Sequence, residues 1–181
     1  MINVKSRLKK AKKLLKSGDT QECKRLCTEV LLNFPQNSEA LRLHKAAVSA
    51  ANPNLATVQK MQRLFDVWDK KAIKIELDKL LRKFPDSDVV KNLAGAFLSR
   101  SGDHPGAAEF FVEAAELAPT EIGYLKNAGI AFYRAKKNLN AMQGINSALE
   151  LEPENSDLHA QLGNVNAALN YFDKSIISID T

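Results

Sequence analysis

The sequence predicts an all-α protein assembled from antiparallel helix pairs. Three observations carry this reading. First, Pro85, Pro119 and Pro153 recur in steps of 34 residues, and so do Gly95, Gly129 and Gly163, a period inside the range of about 20–50 residues that marks repeat arrays. Second, Ala107, Ala141 and Ser175 keep the same step, as do Ala114 and Ala148. Each unit thus orders a small residue midway along a first helix, a turn, a small residue in a second helix, an apolar residue four later, and a proline. Proline ends the second helix because it cannot continue the hydrogen-bond ladder. Third, the 181 residues are 45% hydrophobic and 26% charged, the balance of a globular chain with one core-bearing domain or one continuous array.

The elements follow in order. Residues 1–37 read as a first repeat through Ala11, Leu14, Gly18-Asp19, Cys23, Cys27, Val30 and Pro35. Asp19 and Glu22 have the spacing of a capping box for its second helix. Pro35 to Pro85 is 50 residues, one period and 16 more, which predicts an extra helix with its turn at 38–51. A divergent repeat at 52–87 follows, with helices over 53–68 and 71–84. Asn52-Pro53 opens it, since Asn is a good N-cap and Pro is tolerated in a first helical turn. Residues 88–121 show the pattern best: Leu93-Ala94-Gly95, the turn Gly102-Asp103, then Ala107, Phe111, Ala114 and Pro119. Gly95 and Ala107 let two helix backbones approach, while Leu98 and Phe111 fill the space between neighbouring hairpins. Residues 122–155 repeat it through Ala128-Gly129, Phe132, Ala141, Ala148 and Pro153. The last unit, 156–181, opens with Leu162-Gly163 and ends within a second helix. The expected total is eleven helices and no strand.

These residues resemble the tetratricopeptide repeat (TPR) family, whose pattern pairs a small residue in a first helix with Ala, an aromatic and Pro in a second. The resemblance implies a right-handed solenoid whose first helices line a concave groove, and a function as a protein-interaction scaffold. The stretch 81–87, Leu-Arg-Lys-Phe-Pro-Asp-Ser, followed by Lys-Asn-Leu-Ala-Gly at 91–95, also looks like the N-terminal repeat regions of bacterial sulfotransferases and O-linked glycosyltransferase relatives. That second resemblance implies an alternative, an accessory module of a modifying transferase.

Catalytic chemistry finds little footing. Cys23 and Cys27 sit four apart on one helix but occupy the positions the repeat fills with Ala and an aromatic, so they read as buried packing residues rather than metal ligands. His44, His104 and His159 are scattered, and Asp157 and His159, two apart on a helix, do not face each other. Gly102 and Gly106 lie between helices and no Lys-Ser/Thr follows them, which leaves no phosphate loop. The reading is a non-enzyme without cofactor or metal. No apolar run approaches the ~18 residues of a membrane span, and Met1 leads into a lysine-rich stretch without a signal-peptide core, so a cytoplasmic protein is expected.

Charge distribution points to partners. Residues 1–85 hold 19 Lys and Arg against 8 Asp and Glu, for +11, and residues 86–181 hold 7 against 13, for −6. Lys5, Lys9, Lys12 and Lys16 share one face of the first helix beside the apolar stripe Val4, Leu8, Ala11 and Leu15. That face reads either as the solvated side of a capping helix or as a site for an acidic protein. Nucleic acid or anionic lipid is the further rival, disfavoured because no aromatic is interleaved. The family resemblance places Asn92, Ala96, Ser99 and Arg100, then Lys126, Asn127, Ile130, Tyr133 and Arg134, then Gln161, Asn164 and Ala168 along the groove. Ile130, Asp157 and Gln161 stand where a carboxylate-clamp member has Asn, Lys and Arg, so no such clamp is expected. Asn92, Asn127 and Gln161 instead suggest an amide ladder for an extended peptide backbone, as in the repeats of O-linked N-acetylglucosamine transferase. The expected partner is a net-acidic protein or peptide. At the end of the chain Phe172, Ile176 and Ile179 share an apolar stripe that a second copy, making a homodimer, or further sequence is expected to cover.

Overall fold

The computed structural model describes residues 3–177, with side chains over 3–170. Ten helices and no strand occur among the described residues: α1 (Val4–Ser17), α2 (Thr20–Asn33), α3 (Ser38–Ala51), α4 (Leu55–Asp66), α5 (Lys70–Lys83), α6 (Asp88–Ser101), α7 (His104–Leu117), α8 (Ile122–Arg134), α9 (Asn138–Leu151) and α10 (Ser156–Ile177). They form two compact units, Met1–Val90 and Lys91–Thr181, with the division in the first turn of α6.

One backbone device turns four of the helix pairs. A residue in the left-handed region follows the first helix: Gly18 at φ 87°, Trp68 at 52°, Gly102 at 95° and Lys136 at 59°. The next N–H then reaches back across the turn, from Asp19 to Leu14 O (3.0 Å), Asp69 to Leu64 O (3.2 Å), Asp103 to Leu98 O (3.0 Å) and Lys137 to Phe132 O (2.9 Å). This closes carbonyls that a helix end leaves open. The aspartates also cap the second helix, accepting from the N–H of Glu22, Ala72 and Gly106 at 3.0–3.1 Å. Lys137 has no such side-chain bond.

The return links use proline. In each, the residue before proline accepts a hydrogen bond three residues on: Asn37 to Phe34 (3.0 Å), Ser87 to Phe84 (3.2 Å), Glu121 to Ala118 (3.0 Å) and Asn155 to Glu152 (3.2 Å). Proline suits the second position of such a turn because its φ is preset. Helix α3 enters through this link yet leaves through an extended Asn52 (φ −113°, ψ 151°) instead of a left-handed turn. A polar knot holds this departure. Asn52 Nδ2 donates to Asp88 Oδ1 (3.1 Å), Ser87 Oγ donates to Asn52 Oδ1, and the Val90 N–H donates to Ser87 Oγ (3.1 Å). Ser87 is fully buried, where an unmade hydrogen bond would cost about 1–3 kcal/mol.

In the first unit a core of Leu8, Cys23, Leu26, Cys27, Val30 and Leu43 joins α1, α2 and α3. In the second, Phe111 packs with alanines of α7 and α8, and Ile145, Leu158 and Val165 join α9 to α10. A methyl group added at Gly95 would lie 2.7 Å from the Phe111 ring, and one at Gly129 would lie 2.8 Å from Ile145 Cγ1. At these two positions any larger residue would force its neighbour to shift, whereas Gly163, the third of the series, has open space at the same point.

The last unit corrects the sequence expectation of eleven helices. Where a hairpin was expected, α10 is one 22-residue helix. The position one period beyond Gly102 and Lys136 is Asn170, and no Gly or Pro occurs from Asn164 to Ile177, so no residue interrupts the hydrogen-bond ladder. Phe172 and Ile176 fall on this helix with side chains outside the described residues, and Ile179 lies outside them altogether. Among the described residues no helix is long and apolar enough to cross a membrane.

Candidate functional site

Within the second unit, α6, α8 and α10 bring together most of the polar set singled out in the sequence. The Asn127 side-chain amide donates to Asn92 Oδ1 at 3.1 Å, so two members of the amide ladder are joined directly. Lys126 forms an ion pair with Asp157 of α10. Ile130 and Tyr133 of α8 face Gln161 and Asn164 of α10 around a hollow of about 40 Å³. The Gln161 Oε1 is buried there and accepts no hydrogen bond, a cost that a donor from a ligand would relieve. Tyr133 is 40% exposed. Ser99 is half-buried and Arg100 exposed at the C-terminal end of α6, while Arg134 is exposed at the same end of α8.

Sequence reasoning did not find the Lys126–Asp157 pair. Its signal is a separation of 31 residues, and that of Asn92–Asn127 is 35. Both lie within a helical turn of the period, the offset at which equivalent faces of successive first helices meet.

In the first unit α1 carries two kinds of cation. Arg7 pairs with Glu29 and Lys10 with Glu22 (3.6 Å), while Arg25 Nε bonds Glu22 at 2.6 Å. The hydrogen bond from Arg25, with Lys10 nearby, holds the Glu22 carboxyl down at about 2. Lys5, Lys9, Lys12 and Lys16 are exposed and outside this network, with no ion pair among the described residues.

Cys23 and Cys27 are buried in the core of the first unit. Burial pushes the Cys27 thiol up to about 12, reinforced by Cys23, and raises Cys23 as well, so both favour the unreactive thiol form. Burial, with Lys24 adding to it, lowers His44. The His159 ring meets Pro153 O at 2.7 Å. Among the described residues no three His, Cys, Asp or Glu side chains group as metal ligands would.

Residues 64–175 match the family model described as Psidin, N-terminal TPR repeats region. Among solved structures, the first TPR of Spaghetti (RPAP3) bound to the HSP90 peptide SRMEEVD is 20% identical, with 64% of this chain and 94% of that one covered, at a TM-score of 0.58. The TPR domain of P58(IPK) is 19% identical over 98% of this chain and 49% of that one, at 0.61. The O-GlcNAc transferase of Thermobaculum terrenum, as a K341M mutant, is 23% identical over 61% and 21%, at 0.54. No curated protein matches the sequence. These structural likenesses establish the TPR-like helix-pair fold.

Proposed function

The chain belongs to the family of Psidin N-terminal TPR repeat regions, and we propose that it is a cytoplasmic, non-catalytic scaffold that holds an extended, net-acidic segment of a partner protein against α6, α8 and α10. The observation that carries this reading is the half-exposed Tyr133 beside the unpaired Gln161 carbonyl oxygen. A large rigid side chain next to an unmet acceptor suits an extended peptide, whose backbone N–H would donate to Gln161 while its side chains pack on the Tyr133 ring. The TPR domain of RPAP3 holds a bound peptide, which supports peptide binding by this fold. Arg134 would steer acidic residues towards the groove, and a partner carboxylate would compete with the exposed Asp157 for Lys126. Charges of this kind act mainly on association rate. The basic face of α1 would offer acidic proteins a separate contact.

The test is Tyr133→Ala. We expect the affinity for the partner captured from the source cell to fall by about 30-fold, equivalent to about 2 kcal/mol, with an unchanged melt. Unaltered affinity would remove the groove from the account. The likeness to an O-GlcNAc transferase favours a second reading, in which the chain serves a modifying transferase. A catalytic subunit as the main captured species, with affinity insensitive to Tyr133, would support it.

A further inference from the structure

Helix α8 has a second working face. Leu125, Ala128 and Phe132 lie on a different face of α8 from Ile130 and Tyr133. They floor a cleft of about 580 Å³ whose walls are α7 and α9, and this cleft shares no lining residue with the Gln161 hollow. Val112 and Ala115 line one wall, and Asn140, Gln143, Gly144 and Ser147 the other. The floor is hydrocarbon; a methyl group added at Gly144 would lie 3.5 Å from the α8 backbone at Gly129, so this glycine seats α9 closely on α8, while the small Ser147 side chain leaves the trough open. One end differs in character, because Glu116 of α7 and Glu150 of α9 both line it. Helix α7 ends at Leu117 and α9 at Leu151, so two helix C-termini with their partial negative charge lie at the same end. Among the described residues neither carboxylate has an ion-pair partner.

We propose that this cleft docks a short amphipathic helix of a partner protein, with its apolar stripe on Leu125, Ala128 and Phe132 and a Lys or Arg between Glu116 and Glu150. The form of the occupant follows from the walls. A helix makes its own backbone hydrogen bonds internally, and its ridge fits the groove between the two wall helices, α7 and α9. The cleft runs along α9 from Asn140 to Leu151, about 16 Å and three turns at 1.5 Å per residue. Charge specifies the end. Residues 91–181, which hold the cleft, are net −4 and draw cations in general, and the Glu116–Glu150 end fixes where along the trough a cation is placed. The site lies on a different face of α8 from the proposed peptide groove and shares no lining residue with it.

The experiment uses two synthetic peptides sharing one helical apolar stripe of leucines, flanked by lysines in one and by glutamates in the other, titrated calorimetrically into the full chain. The lysine peptide is expected to bind at least tenfold more tightly. Glu116→Lys with Glu150→Lys should reverse the preference, and Ser147→Trp, which fills the trough from an exposed position, should weaken the lysine peptide at least tenfold. Tyr133→Ala should leave it unchanged, which separates this site from the groove. Helical content and melting of each variant are checked first by circular dichroism. Equal binding of both peptides, a preference untouched by the charge reversal, or no binding at ~1 mM peptide would overturn the proposal.

Discussion

Residues 1–90 carry 19 Lys and Arg against 10 Asp and Glu, net +9, whereas residues 91–181 carry 7 against 11, net −4, and this division coincides with the two compact units. Their interiors differ as well. The first unit buries Leu43, Met61, Ile73 and Val30 completely or nearly so, and ties α1 to α2 with Arg7, Lys10, Glu22 and Glu29. The second also buries Ile145, Leu158 and Val165 fully or nearly so, and adds close helix approaches at Gly95 and Gly129. The contrast shows two ways to specify a helix array around a common apolar core. A strict period fixes close approach through glycine, and where the period breaks a buried polar knot at Ser87 helps to define the register instead.

Core substitutions should separate these designs most widely. Leu43→Ala removes a large side chain from a filled interior and is expected to cost about 2–5 kcal/mol. Gly95→Val adds volume against the Phe111 ring, 2.7 Å from the first added carbon, and should cost about 1–3 kcal/mol. Urea unfolding of each variant measures both. If Gly95→Val were neutral, the small-residue account of the second unit would fail.

The left-handed turns give a smaller effect with a sign. Gly102 is at φ 95° in open space, so Gly102→Ala should destabilise by about 1–2 kcal/mol through backbone strain alone. Lys136, exposed at φ 59°, already bears that strain, and Lys136→Gly should raise stability by about 0.5–1 kcal/mol. The same sign for both substitutions would contradict the shared turn geometry.

The smallest effect concerns Glu22. Its carboxyl is held at about 2 against an ordinary 4.5, so the folded state favours the ionised form. The resulting stability is present in full above 4.5 and is lost as pH falls towards 2. Denaturant midpoints measured across that interval should fall less steeply in Glu22→Gln than in the unmodified chain.

What the sequence made legible follows from which interactions are local. Prolines that stop helices and small residues at fixed steps act within a few positions of themselves, so the hairpins from α6 to α9 and the interposed α3 could be read directly. The turn at Trp68 could not, because a bulky residue in the left-handed region contradicts propensity and is held by the packing around it. The missing break in α10 was hidden by the period itself, which suggested a hairpin where no residue enforces one. At the site, the sequence offered individual groove candidates through the family pattern, but the Lys126–Asp157 pair and the Gln161 hollow depend on how α8 meets α10. The cleft behind α8 was also out of reach, since α7, α8 and α9 each contribute only part of it.

The most direct test of the scaffold is site-specific photo-crosslinking in the source cell. A benzophenone amino acid replaces Tyr133 in one variant and Gln36, an exposed residue in the link between α2 and α3, in another. Irradiation at position 133 should yield a discrete adduct to one protein, mapped by mass spectrometry to a segment rich in Asp and Glu, with little at position 36. Absence of an adduct at 133, or the same adducts at both positions, would contradict a binding groove on α8.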